Sequence, residues 1–186
     1  MKIKKIVFLI VLVCFSCSLK ATNYYINSVI GNDSNKGTSP TNSWKTVSPV
    51  KLIQLTAGDS ILFATGQKFT GMLSLINVKG SVQHPVVISS YSFKGSKSKP
   101  VIDAGEELNA LLIQNSSFIQ VSGIELTGML PYQRSSAVNK AEMRCGILVE
   151  VTIVHELSPV RIRSVNSKNF VLPIMMYSSK MKKGGV

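Results

Sequence analysis

Acidic, thiol and imidazole side chains are few in this chain, and each scarcity removes a class of chemistry. Nine Asp and Glu stand against 21 Lys and Arg among 186 residues, and only two histidines are present. His84 and His155 lie far apart with no ligand cluster beside either, so a zinc site has no local support. Two of the three cysteines, Cys14 and Cys17, fall at the N-terminus and leave Cys145 alone, which excludes a disulfide scaffold within one chain. Cys145 lies in the strand-like run RCGILVEV and reads as a small buried hydrophobe. Aromatic residues make up 7%, too few for a stacking platform of the kind that holds single-stranded nucleic acid. Helix-turn-helix and zinc-finger spacings are missing, and no nucleic-acid partner is expected. Beyond the first 21 residues no apolar run is long enough to hold the chain in a membrane.

What the chain does have is a leader, a basic balance and many short apolar runs. Lys2, Lys4 and Lys5 precede a ten-residue apolar stretch from Ile6 to Phe15, which has the length of a signal peptide. Cleavage after Ala21 is expected; the alternative is a lipoprotein signal with Cys17 as the lipidated residue. Either route makes the protein secreted, periplasmic or cell-surface. Removing residues 1–21 takes four lysines and lowers the net charge from +12 to +8. A basic soluble surface explains that balance, and attraction to an acidic polymer such as a uronate-containing glycan is the sharper alternative. With 45% hydrophobic and 16% charged residues the chain can build a core.

The mature chain alternates short apolar runs with Gly, Asn, Asp, Ser and Pro. Strands are expected at Thr22 to Ser28, Ser60 to Ala64, Lys68 to Leu75, Pro85 to Tyr91, Pro100 to Asp103, Ala110 to Gln114, Phe118 to Val121 and Ile124 to Thr127. Further strands are expected at Gly146 to Val154, Val160 to Val165 and Phe170 to Tyr177, with a turn at Asn166 to Asn169 and an excursion at Pro131 to Asn139. Trp44 to Leu55 is the one helix candidate, with Ser48 as N-cap, Pro49 in the first turn, and Val47 and Leu52 at staple positions. Strands of three to five residues cannot hold a flat sheet; they suit the faces of coils in a solenoid, each covering the one before. Ile113 to Val149 would span one to two coils.

Five features are candidates for chemistry. The tract Gly31 to Thr38 is rich in oxygen ligands, but it has one carboxylate, Asp33, and no Glu at the twelfth position of a calcium loop. An Asx-turn loop accounts for it, with a cation at Asp33 as the alternative. Asp59, after Gly58 in a turn, and Asp103, at a strand end, read as acceptors for backbone N–H groups. GQKFTG around Gly66 and Gly71 lacks the phosphate-loop pattern. Glu106, Glu107, Glu125, Glu142 and Glu150 are the acidic candidates for glycan chemistry, which needs two carboxylates across the scissile bond. Glu125 and Glu150, 25 positions apart, could stack one coil above the other. Two solvent-facing glutamates explain that spacing equally well. A lyase base could come from Lys140, Arg144, Arg161 or Arg163, though no carboxylate trio accompanies them.

Tyr24-Tyr25-Ile26, the run Gly31 to Pro40, Trp44-Lys45-Thr46, Gly58 to Phe63 and Lys99 to Asp103 together resemble the opening of secreted bacterial right-handed parallel β-helix proteins, the pectate-lyase-like family. The likeness covers residues 24–128 well, with a fainter match at Arg144 to Ile147. It implies an all-β, right-handed parallel β-helix (solenoid) with an N-terminal cap containing one short helix, in which Trp44 seals the end of the stack. The expected division is leader 1–21, cap 22–57, coils 58–178 and a frayed tail 179–186. Members include lyases, hydrolases, epimerases and binding proteins, with catalytic groups and calcium ligands on later coils. The resemblance therefore implies a truncated member, a module of a carbohydrate-active protein without its catalytic coils. No cofactor is assigned to the chain itself, and the expected partner is an acidic or neutral polysaccharide. The alternatives are a small glycan-binding or structural module and an active polysaccharide lyase or glycoside hydrolase.

Overall fold

The computed structural model describes residues 21–128, 145–151, 160–163, 165–168 and 172–178. Its strands are β1 (Asn23–Ile26), β2 (Ser60–Ala64), β3 (Lys68–Thr70), β4 (Leu73–Ile76), β5 (Val86–Tyr91), β6 (Val101–Asp103) and β7 (Asn109–Gln114). They continue with β8 (Ile119–Ser122), β9 (Glu125–Thr127), β10 (Cys145–Val151), β11 (Val160–Arg163), β12 (Asn166–Lys168) and β13 (Leu172–Ser178). Sheet A runs β1-β2-β5-β8-β11, sheet B β3-β6-β9-β12 and sheet C β4-β7-β10-β13. From β2 onward the chain visits A, B and C in turn, and neighbouring strands pair in parallel. The result is a parallel β-helix whose three faces are the three sheets.

Inside the coil, alternate residues of each strand line up into apolar columns. Ile61, Ile88 and Val121 align in sheet A, Phe69, Ile102 and Leu126 in sheet B, and Leu75, Ile113 and Val149 in sheet C. All nine are buried. Because Val149 pairs directly with Ile113, that interval is one coil. The corners use residues that tolerate a left-handed backbone. Asn77 (φ 57) and Asn115 (φ 48) leave sheet C one above the other, and their N–H groups donate to the carbonyls of Gln114 and Glu150.

The run expected as one strand from Lys68 to Leu75 is two strands on different sheets. Gly71, at φ 110, turns the chain between them, and its N–H donates to the Asp103 carbonyl. Asn166–Lys168, expected as a turn, is strand β12 because its backbone pairs with β9. The excursion at 131–139, the leader and the tail lie outside the described residues.

The cap differs from expectation in its helix. The segment 44–55 holds only a five-residue 3₁₀ helix, Ser48–Leu52, and a second 3₁₀ turn spans Pro40–Asn42. Trp44 cannot join a helix because its N–H and C=O are already paired with Tyr25 and Asn27. Val47, not Ser48, stands at the N-cap and makes no side-chain cap bond. Leu52 is 87% exposed, so no staple forms.

Trp44 itself lies over the end of the coil. It stacks on Tyr24 at 5.2 Å, and its indole N–H donates to the Asn35 carbonyl at 2.8 Å. Gly37, at φ 74, passes so near the ring that a Cβ there would fall 2.5 Å from Cε2. A buried polar network ties this cap to the first two coils. Asn27 Oδ1 accepts from the N–H groups of Val29 and Ile30 and from Gln67 Nε2, and its Nδ2 donates to the Tyr91 hydroxyl. Burial pushes that hydroxyl above the usual tyrosine value, Tyr25 adds to the rise, and the Asn27 bond opposes it.

Two stability predictions follow from this packing. Ile88→Ala opens a void in the centre of a column and is expected to cost about 2–5 kcal/mol in urea denaturation. Gly95 has φ 73 and open space around it, so Gly95→Ala should lose only the roughly 1–2 kcal/mol of a left-handed backbone. Gly37→Ala carries the same backbone penalty plus the Trp44 clash, and should lose clearly more in the same experiment.

Candidate functional site

With the inward positions filled by apolar side chains, chemistry is confined to the outer faces and corners. On sheet A the outward column Ser60, Val87, Gln120 and Arg161 runs beside Leu62, Ser89, Ser122 and Arg163. Ser122 Oγ donates to Ser89 Oγ at 3.3 Å, and both arginines are exposed. At the edge of this face a cavity of about 90 Å³ is lined by Ser81, Val82, Pro85, Phe118, Gln120 and Arg161 with Ile119. Phe118 has φ 53, unusual for a bulky residue, and its carbonyl accepts from the Val86 N–H at 3.0 Å. This face offers hydroxyls, an amide and two guanidinium groups beside an apolar ledge. That set can bind polar rings and carboxylates.

Glu125 and Glu150, whose spacing allowed stacking one coil above the other, lie on different sheets. Glu125 lies in β9 of sheet B, opposite Val101 and Asn166. Glu150 lies in β10 of sheet C, opposite Gln114 and Tyr177. Their separation along the chain crosses from one face to another, so they cannot clasp one bond. Glu150 instead accepts from Gln114 Nε2 at 2.8 Å, across an offset of 36 residues. That offset is one coil, and Gln114 becomes visible as a partner only when the coil length is known.

The other carboxylates are held by the scaffold. Asp59 is buried: Oδ1 accepts from the Thr22 N–H, and Oδ2 from the Thr56 N–H and hydroxyl. Gly58 beside it has φ 92, and its N–H donates to the His84 carbonyl. Asp103 accepts from the Gly105 N–H and pairs with Lys68 at 2.6 Å across two coils of sheet B.

Asp33 is a clamp across the cap loop. Oδ1 accepts from the N–H groups of Lys45 and Thr46, and Oδ2 from the Thr46 hydroxyl. Asn32 makes the neighbouring Asx turn to the Ser34 N–H. Partial burial alone would raise the Asp33 carboxyl. The Thr46 N–H and hydroxyl, the Lys45 N–H and the Lys45 charge outweigh it and hold the group below the usual aspartate value. Among the described residues no three His, Cys, Asp or Glu side chains gather as a metal site. No described helix is long and apolar enough to cross a membrane. Lys140, Arg144, Glu142 and His155 lie outside the described residues.

These features define a parallel β-helix with one polar, cationic face. No family model matches the chain. A lacto-N-biosidase of Bifidobacterium longum subsp. longum is 30% identical over 131 residues, which is 57% of this chain and 8% of that protein. The native structure of a GH136 lacto-N-biosidase from Eubacterium ramulus is similar with a TM-score of 0.61 at 18% identity, over 84% of this chain and 30% of that one. A rhamnogalacturonan lyase is similar with a TM-score of 0.53 at 13% identity, over 78% of this chain and 36% of that one. The chain therefore spans a small part of each of these proteins, and what it shares with the solved ones is the all-β solenoid fold.

The Asp33 clamp predicts a pH-dependent stability. A carboxyl whose folded value is depressed stabilises fully above its unfolded value, about 3.9, and that contribution disappears as pH falls through the folded value. Asp33→Asn should lower the thermal midpoint at pH 7 by roughly 3 °C, taking about 1 kcal/mol for the lost charge-assisted bonds. Melting curves from pH 7 to 2 should show the gap between the two proteins constant to about pH 4 and shrinking below it.

Proposed function

We propose that this chain is a β-helix module of a secreted or surface carbohydrate-active protein, and that it holds glycan on sheet A without cleaving it. The observation that carries this reading is an all-β solenoid fold similar to parts of a GH136 lacto-N-biosidase and a rhamnogalacturonan lyase. The partial sequence relation to a second lacto-N-biosidase supports the same class. Two further features favour binding over turnover. Glu125 and Glu150 face different directions, whereas a glycosidase needs its two carboxyl groups within about 5–9 Å. Glu150 is engaged by Gln114, and Asp103 by Lys68.

The polar face of sheet A is where a sugar chain would lie. Gln120, Ser122 and Ser89 supply neutral hydrogen bonds, Phe118 and Pro85 an apolar ledge, and Arg161 and Arg163 favour acidic over neutral glycans. The aromatic residues Tyr24, Trp44, Tyr25, Tyr91, Phe63 and Phe69 pack on one another, and Phe118 and Pro85 supply the apolar surface beside the polar face.

Affinity electrophoresis in gels carrying rhamnogalacturonan or a neutral glycan tests the reading, with product analysis on the same samples. The chain should be retarded by the acidic polymer and release no product. Arg161→Ala with Arg163→Ala should weaken retention by roughly fivefold or more and leave the melting temperature in place. Product formation that Glu125→Gln or Glu150→Gln abolishes would replace the binding module with an active lyase or hydrolase.

A further inference from the structure

A cleft against sheet C has a different character from the polar face of sheet A. The Ser48–Leu52 helix and the segment after it overhang the outer face of sheet C and enclose about 310 Å³. Outward positions on sheets A and B mix Ser, Thr, Asp, Gln, Lys, Glu and Arg with Leu62, Val87 and Val101. On sheet C, Ser74 in β4 is followed in register by Leu112 in β7 and Leu148 in β10, and Ile76 in β4 by Gln114 and Glu150, so the apolar outward residues gather beside the cap. Ile76 is 49% exposed, although a polar residue there would meet no packing demand. Ile53 and Met72 close the sides; among the described residues Ser74 is the one neutral polar side chain and Lys51 the one charged residue that lines the space.

From this geometry we infer that the cleft is a binding site for a linear amphiphilic anion, an alkyl chain of about ten carbons ending in a carboxylate. The volume is about twice the roughly 150 Å³ that encloses one benzene, and lies at the lower end of the range for small-molecule pockets. Apolar walls suit a methylene chain, and flexible Met72 lets the walls adapt to its path. Among the described residues no carboxylate lines the cleft, so Lys51 selects an anionic head over a cationic one. This site is independent of the glycan face: it lies on another sheet and uses none of its residues.

Calorimetric titration of the full exported chain with decanoate, hexanoate and decanol tests the inference. Decanoate should bind one per chain. Each buried methylene is expected to tighten binding about fourfold, so hexanoate should be weaker by tenfold or more. Decanol, which lacks the charge, should bind roughly fivefold more weakly than decanoate. Lys51→Glu should weaken decanoate by about the same factor or more and leave decanol unchanged, and Leu112→Glu should abolish both. Lys51 is exposed, so the Lys51→Glu comparison stands even if Leu112→Glu fails to fold. Absence of saturable binding, equal affinity for the two acids, equal affinity for decanol and decanoate, or indifference of decanoate to Lys51→Glu would each overturn the proposal.

Discussion

Everything in this molecule depends on one coil covering the next. A strand of three to six residues has too few hydrogen bonds and too little apolar face to persist alone. Stacked in register, the same strands bury Ile61 under Ile88 and Ile88 under Val121, and their backbone groups pair above and below. The first coil has no predecessor, so the cap must do that work. Trp44 and Tyr24 present a stacked aromatic lid, the 31–46 loop wraps it, and Asp33 fastens the loop to Lys45 and Thr46. Asn27 and Gln67 then join cap to coil through bonds that an apolar filling could not direct.

Such a stack leaves its outer surfaces free to differ. The inward columns are apolar on all three sheets, but the outward residues make three unlike faces. Sheet A is hydroxylic and cationic, sheet B carries the Lys68–Asp103 pair and Glu125, and sheet C is apolar beside the cap. A substitution at an exposed outward position leaves the inward columns in place. Function can therefore be written on one face without consequence for the others, which is how one solenoid scaffold can serve different carbohydrate-active proteins.

Much of the fold could be read from local pattern. SILFA at Ser60–Ala64 coincides with β2, and the apolar runs near residues 86–91, 101–103 and 109–114 fall on β5, β6 and β7. Errors arose where pairing rather than propensity decides. Asn166–Lys168 has no β-forming side chains, yet it is a strand because β9 offers it a ladder. The stretch after Trp44 has helical spacing, yet Trp44 is bound to Tyr25 and Asn27, and only a short 3₁₀ helix forms. At the candidate sites, carboxylates and basic residues could be listed but not assembled. Coil length varies: Ser89 meets Ser122 across 33 residues on sheet A, while Gln114 meets Glu150 across 36 on sheet C.

Sequence alone was sufficient for the class of architecture, because strand length, inward alternation and corner residues are local properties that each coil repeats. It also identified Trp44 as singular and the chain as basic, since composition is independent of folding. Which residues stand side by side was settled only by tertiary structure. Register depends on the number of residues spent at every corner, and a corner of one length or another moves a glutamate to a different face. Glu150 beside Gln114, Arg161 beside Gln120, and Ile76 with Leu112 beneath the cap are all consequences of that winding.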